Sequence, residues 1–344
     1  MSWVEKHRRQ TLLMWLLLFA CLALMMVSLG VGRLAVPFHQ VPAILLDNLW
    51  PMDGSWSAVQ ERVVELVRGP RILMAVVVGA GLAVAGASLQ GVFRNPLVGP
   101  DIIGVSSGAA FGGALAIWLF DSSVMTVLLA FVFGLAAMVI VSLISRVGGQ
   151  SPMLLLVLSG VVTGAFFSAL VSLITYLADP EDRLPAIVYW LLGSFASANY
   201  DRVWIVLVPT LIGSLVIFGM RYRVNILSLG NEEAQALGVK VEKARWLILI
   251  MVALIASATV AVAGVIGWVG LVVPHFARML VGADHRLLIP ASAIIGAGYL
   301  VIIDTLARSA TTSEIPLGVL TALVGAPLFV WLLRKTQAGG WRNA

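Results

Sequence analysis

The sequence contains few side chains able to do chemistry, and their spacing narrows which chemistry that is. His275 and His285 lie ten residues apart and read as packing and capping residues rather than metal ligands. No H-E-x-x-H motif or paired-cysteine site accompanies them. Cys21 is the single cysteine, so no disulfide framework forms within the chain. Ser106 and Ser107 lack a His–Asp set that would make either a nucleophile. No G-x-x-x-x-G-K-[ST] loop occurs, and none of Lys6, Lys240, Lys243 and Lys335 follows a glycine loop. Nucleotide phosphates therefore have no such cradle here. Two carboxylates remain, both in apolar surroundings. Asp101 follows Pro100 and is expected in the first turn of a helix, where the dipole favours a carboxylate. Asp304 precedes Arg308 by four residues on one helical face and is expected to form a local ion pair, not a proton relay. No chain of acids and histidines continues from it.

The most concentrated feature runs from Arg94 to Gly108 (Arg-Asn-Pro-Leu-Val-Gly-Pro-Asp-Ile-Ile-Gly-Val-Ser-Ser-Gly), between two long apolar runs. Lipid tolerates irregular backbone only where protein or a water-filled cavity covers it. This stretch is therefore expected to line a path rather than face lipid. Gly104, Gly108 and Gly112 recur at four-residue spacing, as do Gly160 and Gly164. Small residues so placed let helices approach closely, and helix packing accounts for them fully.

The elements that must hold these residues follow from composition. Hydrophobic residues make up 60% of the 344 and charged residues 11%, with a mean hydropathy of +1.01. Soluble domains carry about 25% charged residues. A chain this apolar has no surface to offer water, so the fold class is all-α, a polytopic transmembrane helical bundle. With about 20 apolar residues per span, ten spans are expected. They lie near 11–31, 71–91, 100–119, 124–144, 153–177, 203–220, 246–264, 266–281, 287–307 and 316–333. The first apolar run exceeds the core of a signal peptide, about 7–15 residues, and no A-x-A site follows before Arg33. It is expected to stay as a span. The whole chain, 1–344, then forms one transmembrane domain.

With the N-terminus inside, fifteen of the 22 Lys and Arg residues fall on the cytoplasmic side and seven on the other. Cytoplasmic loops carry that bias. Ten spans then return the C-terminus to the cytoplasm. The net charge of +5 and pI near 9.7 fit basic loops facing anionic membrane lipid, not nucleic acid.

Three loops are more than turns. The periplasmic segment 33–67 places Val41, Ile44, Leu45 and Leu49, then Val59, Val63, Leu66 and Val67, between acids and Asn48, as interfacial helices do. Asp179-Pro180-Glu181-Asp182 announces a short external helix over 179–190. In the cytoplasmic loop 222–245, Ser228 or Asn231 is expected to cap a short helix with Glu232 and Glu233 in its first turn and Gly238 at its end. Leu229, Ala236 and Leu237 would form its apolar face, suited to a groove on another subunit.

Seven stretches of this sequence, in order, resemble the permease subunit of ABC importers for iron–siderophores, haem and cobalamin, the FecCD-type or type II importers. They are Arg68-Gly69-Pro70-Arg71, Gly86 to Gln90, Arg94-Asn95-Pro96-Leu97, the Leu229 to Val239 loop, Gly270-Leu271-Val272-Val273-Pro274-His275, Gly282-Ala283-Asp284-His285-Arg286 and Ile315-Pro316-Leu317-Gly318-Val319. The resemblance covers almost the whole chain. It departs at Gly69, where the family often has a larger apolar residue, and at Gly148-Gly149-Gln150-Ser151-Pro152 before the fifth span.

The resemblance implies a homodimer in the inner (plasma) membrane, two separate ATP-binding cassette subunits that bind ATP and Mg, and a periplasmic substrate-binding protein. It implies no catalytic, cofactor or metal residue in this chain. It assigns Asn95, Pro96, Leu97, Gly104 and Gly108 to the translocation pathway and gate, with Leu97 at the inner gate. It assigns Leu229, Gly230, Glu232, Glu233, Ala236, Leu237 and Gly238 to ATPase coupling. Arg68, Arg71 and Arg308 would dock acidic residues of the binding protein. Iron–siderophore leads as cargo, ahead of haem, cobalamin and molybdate. A proton-coupled secondary transporter would need embedded acids and inverted repeats. An intramembrane enzyme would need a catalytic set at membrane depth. The sequence displays neither.

Overall fold

Each expected span is a helix in the computed structural model, which describes residues 3–47, 54, 56–120, 122–146 and 151–339. Among the described residues there is no strand. The helices are α1 (Trp3–Gly30), α2 (Gln40–Asp47), α3 (Ala58–Arg62), α4 (Gly69–Phe93), α5 (Val105–Leu119), α6 (Ser123–Ser145), α7 (Met153–Leu177) and α8 (Arg183–Leu191). They continue with α9 (Tyr200–Gly219), α10 (Arg221–Leu227), α11 (Asn231–Ala236), α12 (Val241–Ala263), α13 (Val269–Val281), α14 (His285–Ser309) and α15 (Leu317–Gly339). Seven helical segments are long and apolar enough to cross a membrane, and the shorter apolar α5, α13 and α15 supply the other three spans. Asn48, Leu49 and Gly148-Gly149-Gln150 lie outside the described residues.

Three helices form the interior. α4, α12 and α14 are mostly buried, whereas α1, α6, α7 and α9 leave most of their surface open. α4 is central, packed on α14, α9, α13 and α12, while α5 lies between α6 and α7. The crossing of α4 and α14 rests on two glycines. A Cβ on Gly79 would stand 2.2 Å from the carbonyl oxygen of Gly296, and one on Gly296 would stand 2.3 Å from that of Gly79. Backbones this close leave no room for a side chain on either helix.

The second span begins earlier than the sequence suggests. Ser57 starts α3 with a capping box: its hydroxyl accepts from Gln60 N–H, and the Gln60 side chain accepts from Ser57 N–H. The chain then passes through a π-helical stretch, Val63–Arg68, directly into α4. A proline inside a helix clashes with the carbonyl four residues back, so Gly69-Pro70 would ordinarily interrupt it. Widening to i→i+5 bonds, such as Gly69 N–H to the Val64 carbonyl, lets the helix run through. Within 33–67, α2 buries Val41 and Ile44 and leaves Leu45 and Leu46 exposed. Residues 58–67 instead run continuously into the second span.

The short helix expected after Asp179 forms as α8. Asp179 accepts from the N–H groups of Glu181 and Asp182 just before α8. Between α12 and α13 the chain stays inside the bundle without helix for five residues, with Gly264 at φ 71° and Trp268 at φ 70°.

Gly79→Ala should destabilise the chain by about 1–3 kcal/mol through overpacking. Gly219→Ala, where a Cβ meets nothing within 4 Å, should be neutral or stabilise by up to about 1 kcal/mol. Thermal unfolding of the two purified variants in detergent distinguishes them.

Candidate functional site

The stretch after α4 is built turn by turn. Arg94 ends the helix in the left-handed region, φ 52°, and its N–H caps the carbonyls of Gln90 and Gly91. The Asn95 side chain then accepts from Leu97 N–H at 2.9 Å, closing a tight turn. Asn95 and Leu97 are exposed, Leu97 at 47%, whereas Val98, Gly99 and Pro100 are buried. Asp101 does not start α5. It sits in a separate 3₁₀ turn, Pro100–Ile103, and Gly104 at φ 76° reverses the chain before α5 begins.

The glycines of this stretch serve packing. Gly104 lies against the backbone of Gly160 and Gly164 in α7, and Gly108 against the Phe133 carbonyl and Ala137 in α6. Beneath the turn, the Gln90 side chain donates to the Leu271 carbonyl at 3.2 Å and accepts from Arg278 at 2.9 Å. A Cβ on Gly86 would meet the Gly270 carbonyl at 1.8 Å. The end of α4 is thereby fixed to α13, and Asn95 and Leu97 project from a braced turn. Sequence spacing does not point to the Gln90–Arg278 bond. Its one signal is a single amide in an apolar run close to the Arg94 turn.

The loop between α10 and α12 carries the short α11. Neither Ser228 nor Asn231 caps it. The N-cap is Gly230, at φ 155°, and Ser228 donates instead to the Asn225 carbonyl. Asn231 is drawn away by Arg245, whose guanidinium also holds Glu242 and the Ser151 carbonyl, each bond at 3.0 Å. Gly238, at φ 78°, ends the helix as expected. Its N–H bonds the Gln235 carbonyl, and Val239 N–H bonds that of Ala234. Buried Ala234 seats the helix, while Leu229 and Leu237 stand 61% and 60% exposed beside exposed Glu232, Glu233 and Ala236. The apolar face expected there is thus open. Asn225 of α10 donates to Asp284 at 2.6 Å and accepts from His285 N–H at 2.7 Å, tying the loop to the start of α14. Arg286 and Asn225 hold the Asp284 carboxyl well below the usual carboxylate range.

At the opposite end of α14, Arg68, Arg71 and Arg308 turn inward and find their partners within the chain. All three are buried. Arg68 donates to the carbonyls of Leu29, Gly30 and Leu34, and Arg308 to those of Ser28 and Val31. Two guanidinium groups thereby satisfy the carbonyls that α1 leaves open at its C-terminus. Arg71 donates to Asp304 at 2.7 Å and grips Glu314 through two bonds of 2.9 and 2.8 Å. Asp304 also faces Arg308 at 3.4 Å, so the expected pair exists within a larger network. Buried cations need such partners, and here they find them inside the chain. Spacing gives no sign of Glu314, which lies in a short loop ten residues from Asp304 in sequence.

The two ends of α14 therefore carry a fixed buried network and an open loop, with a braced turn beside α13. The sequence pattern of the FecCD transport family matches residues 18–335. The chain belongs to that family. It is 45% identical over 321 residues to the molybdate import system permease protein MolB of Haemophilus influenzae, covering 91% of this chain and 93% of that one. It is 41% identical to the cobalamin import system permease protein BtuC of Halobacterium salinarum, over 86% of this chain and 80% of the relative. A solved metal-chelate type ABC transporter in an inward-facing conformation superimposes with a TM-score of 0.85 and 42% identity, covering 94% of this chain and 99% of that one. Membership makes this chain a multi-pass membrane permease of the ABC importer class.

Asp304→Asn should cost about 3–5 kcal/mol, because it strips a buried counter-charge from Arg71 and Arg308. Glu314→Gln, at a partly exposed carboxylate, should cost about 1 kcal/mol or less. Thermal unfolding of the purified variants checks the contrast, and equal effects would contradict it.

Proposed function

We propose that this chain is the translocating subunit of an ATP-driven importer for a metal-containing cargo. It works as a homodimer in the inner membrane, with both termini cytoplasmic. The observation that carries the reading is the open face of α11. Leu229 and Leu237 lie exposed beside Glu232 and Glu233, on a helix held from below by Ala234 and Arg245. A short amphipathic helix, rigidly mounted and uncovered, suits a groove on a partner. The sequence has no nucleotide-phosphate loop of its own, so that partner is the subunit that binds ATP and Mg. Asn95, Pro96 and Leu97 form the gate turn, with Gly104 and Gly108 setting the packing behind it. Arg68, Arg71 and Arg308 serve a periplasmic binding protein indirectly, by holding the outer surface in shape.

Two cargo classes compete. An iron–siderophore chelate follows from the family resemblance. A molybdate-type oxyanion is supported by the 45% identity to a permease named for molybdate, and we place it first.

Proteoliposomes containing the permease, its ATPase subunit and its binding protein decide between them. They should accumulate radiolabelled molybdate, and excess ferric siderophore should not compete. Accumulation of labelled ferric siderophore alone would reverse the cargo order. Glu232→Lys with Glu233→Lys should abolish accumulation while ATP hydrolysis persists. Wild-type transport in that variant would remove α11 from the coupling role.

A further inference from the structure

A cavity of about 380 Å³ opens where α9 and α10 meet the start of α12. Three cations line it, Arg223, Lys240 and Lys243, above an apolar floor of Met220, Ala244 and Leu247. All three cations are exposed. Among the described residues, none of their side chains has a hydrogen-bond or ion-pair partner, and nearby Glu242 is committed to Arg245. Three like charges converge on one cavity that supplies no counter-charge of its own.

The surroundings place this cavity at a membrane–water boundary. Arg146 stacks over Trp246, and Arg221 over Phe218 and Tyr222. Aromatic and basic side chains gather at that level of a bilayer. Away from the cations, α12 turns Leu247 and Ile250 outward. These lie three residues apart, so they continue one apolar strip along the helix toward the bilayer interior. The site is therefore cationic at the boundary and apolar below it.

We propose that this cavity binds one anionic phospholipid from the leaflet at this end of the bundle. Its phosphate sits among Arg223, Lys240 and Lys243, and an acyl chain lies along Leu247 and Ile250. Charge complementarity calls for an anion, and the apolar strip calls for one that carries a chain. A soluble acidic segment would use the cations and leave the strip bare. Gly238 and Val239 line the same cavity, so the lipid braces the exit of α11. The proposal needs only that the chain spans a membrane, and it stands whatever the cargo is.

Native mass spectrometry of the purified full-length permease tests it, with phosphatidylglycerol and phosphatidylcholine offered in equal amounts. Phosphatidylglycerol adducts should survive preferentially. Arg223→Gln with Lys240→Gln and Lys243→Gln should cut that preference on the order of tenfold. Arg8→Gln with Arg9→Gln, basic residues elsewhere in the chain, should leave it unchanged. Should the triple variant fail to fold, Lys240→Gln with Lys243→Gln should still reduce the preference. A preference that survives these changes overturns the proposal. So does displacement of the lipid by equimolar glycerol 3-phosphate, which would mean that the site takes phosphate without chains. Loss of ATPase-subunit co-purification with the lipid preference intact would assign the cations to that subunit instead.

Discussion

A backbone N–H or carbonyl that leaves a helix inside a bilayer has no water to turn to. This fold leaves helix repeatedly within or beside its spans, and at several of these departures the backbone is closed by a bond from a distant part of the chain. The carbonyls at the end of α1 are taken by Arg68 and Arg308. The break after α8 is closed from two sides: Ser194 N–H bonds the Ala263 carbonyl, and Leu317 and Gly318 N–H bond the carbonyls of Gly193 and Leu192. Without these bonds, each irregular segment would leave polar backbone buried and unpaired, at a cost of about 1–3 kcal/mol for each group.

The closures also organise the molecule for transport. They converge on α4, α12 and α14, the three most buried long helices. α14 carries the Asp304 network at one end and the Asp284 link to α10 at the other. The Asn95–Leu97 turn hangs from the end of α4, which Gln90 fixes to α13. The elements assigned to gating and coupling are thus short, exposed pieces mounted on a buried frame. The open faces of α6, α7 and α9 are left for lipid or a second subunit.

Much of this was legible in the residues. Ten apolar runs became ten apolar helices, because the bilayer imposes a length that composition reveals directly. The Gly238 terminator and the Asp304–Arg308 pair followed from local spacing. Other features depended on distant partners that spacing does not encode. Arg68, Arg71 and Arg308 look like surface charges until α1 and Glu314 are brought to them. Asn231 has the chemistry of a cap but is claimed by Arg245, fourteen residues later. Gly69-Pro70 has the chemistry of a break, yet a π-helical stretch carries the helix through it.

Amide hydrogen exchange of the permease in lipid nanodiscs tests the closure of these breaks most directly. The amides of Ser194, Leu317 and Gly318 should be protected to the same degree as those in the middle of α4, although none of them lies in a helix interior. The exposed amides of Thr312 and Ser313 should exchange on the timescale of an open loop. If Ser194, Leu317 and Gly318 exchanged as fast as Thr312 and Ser313, the breaks would be open to water, and long-range backbone closure could not be what holds this bundle together.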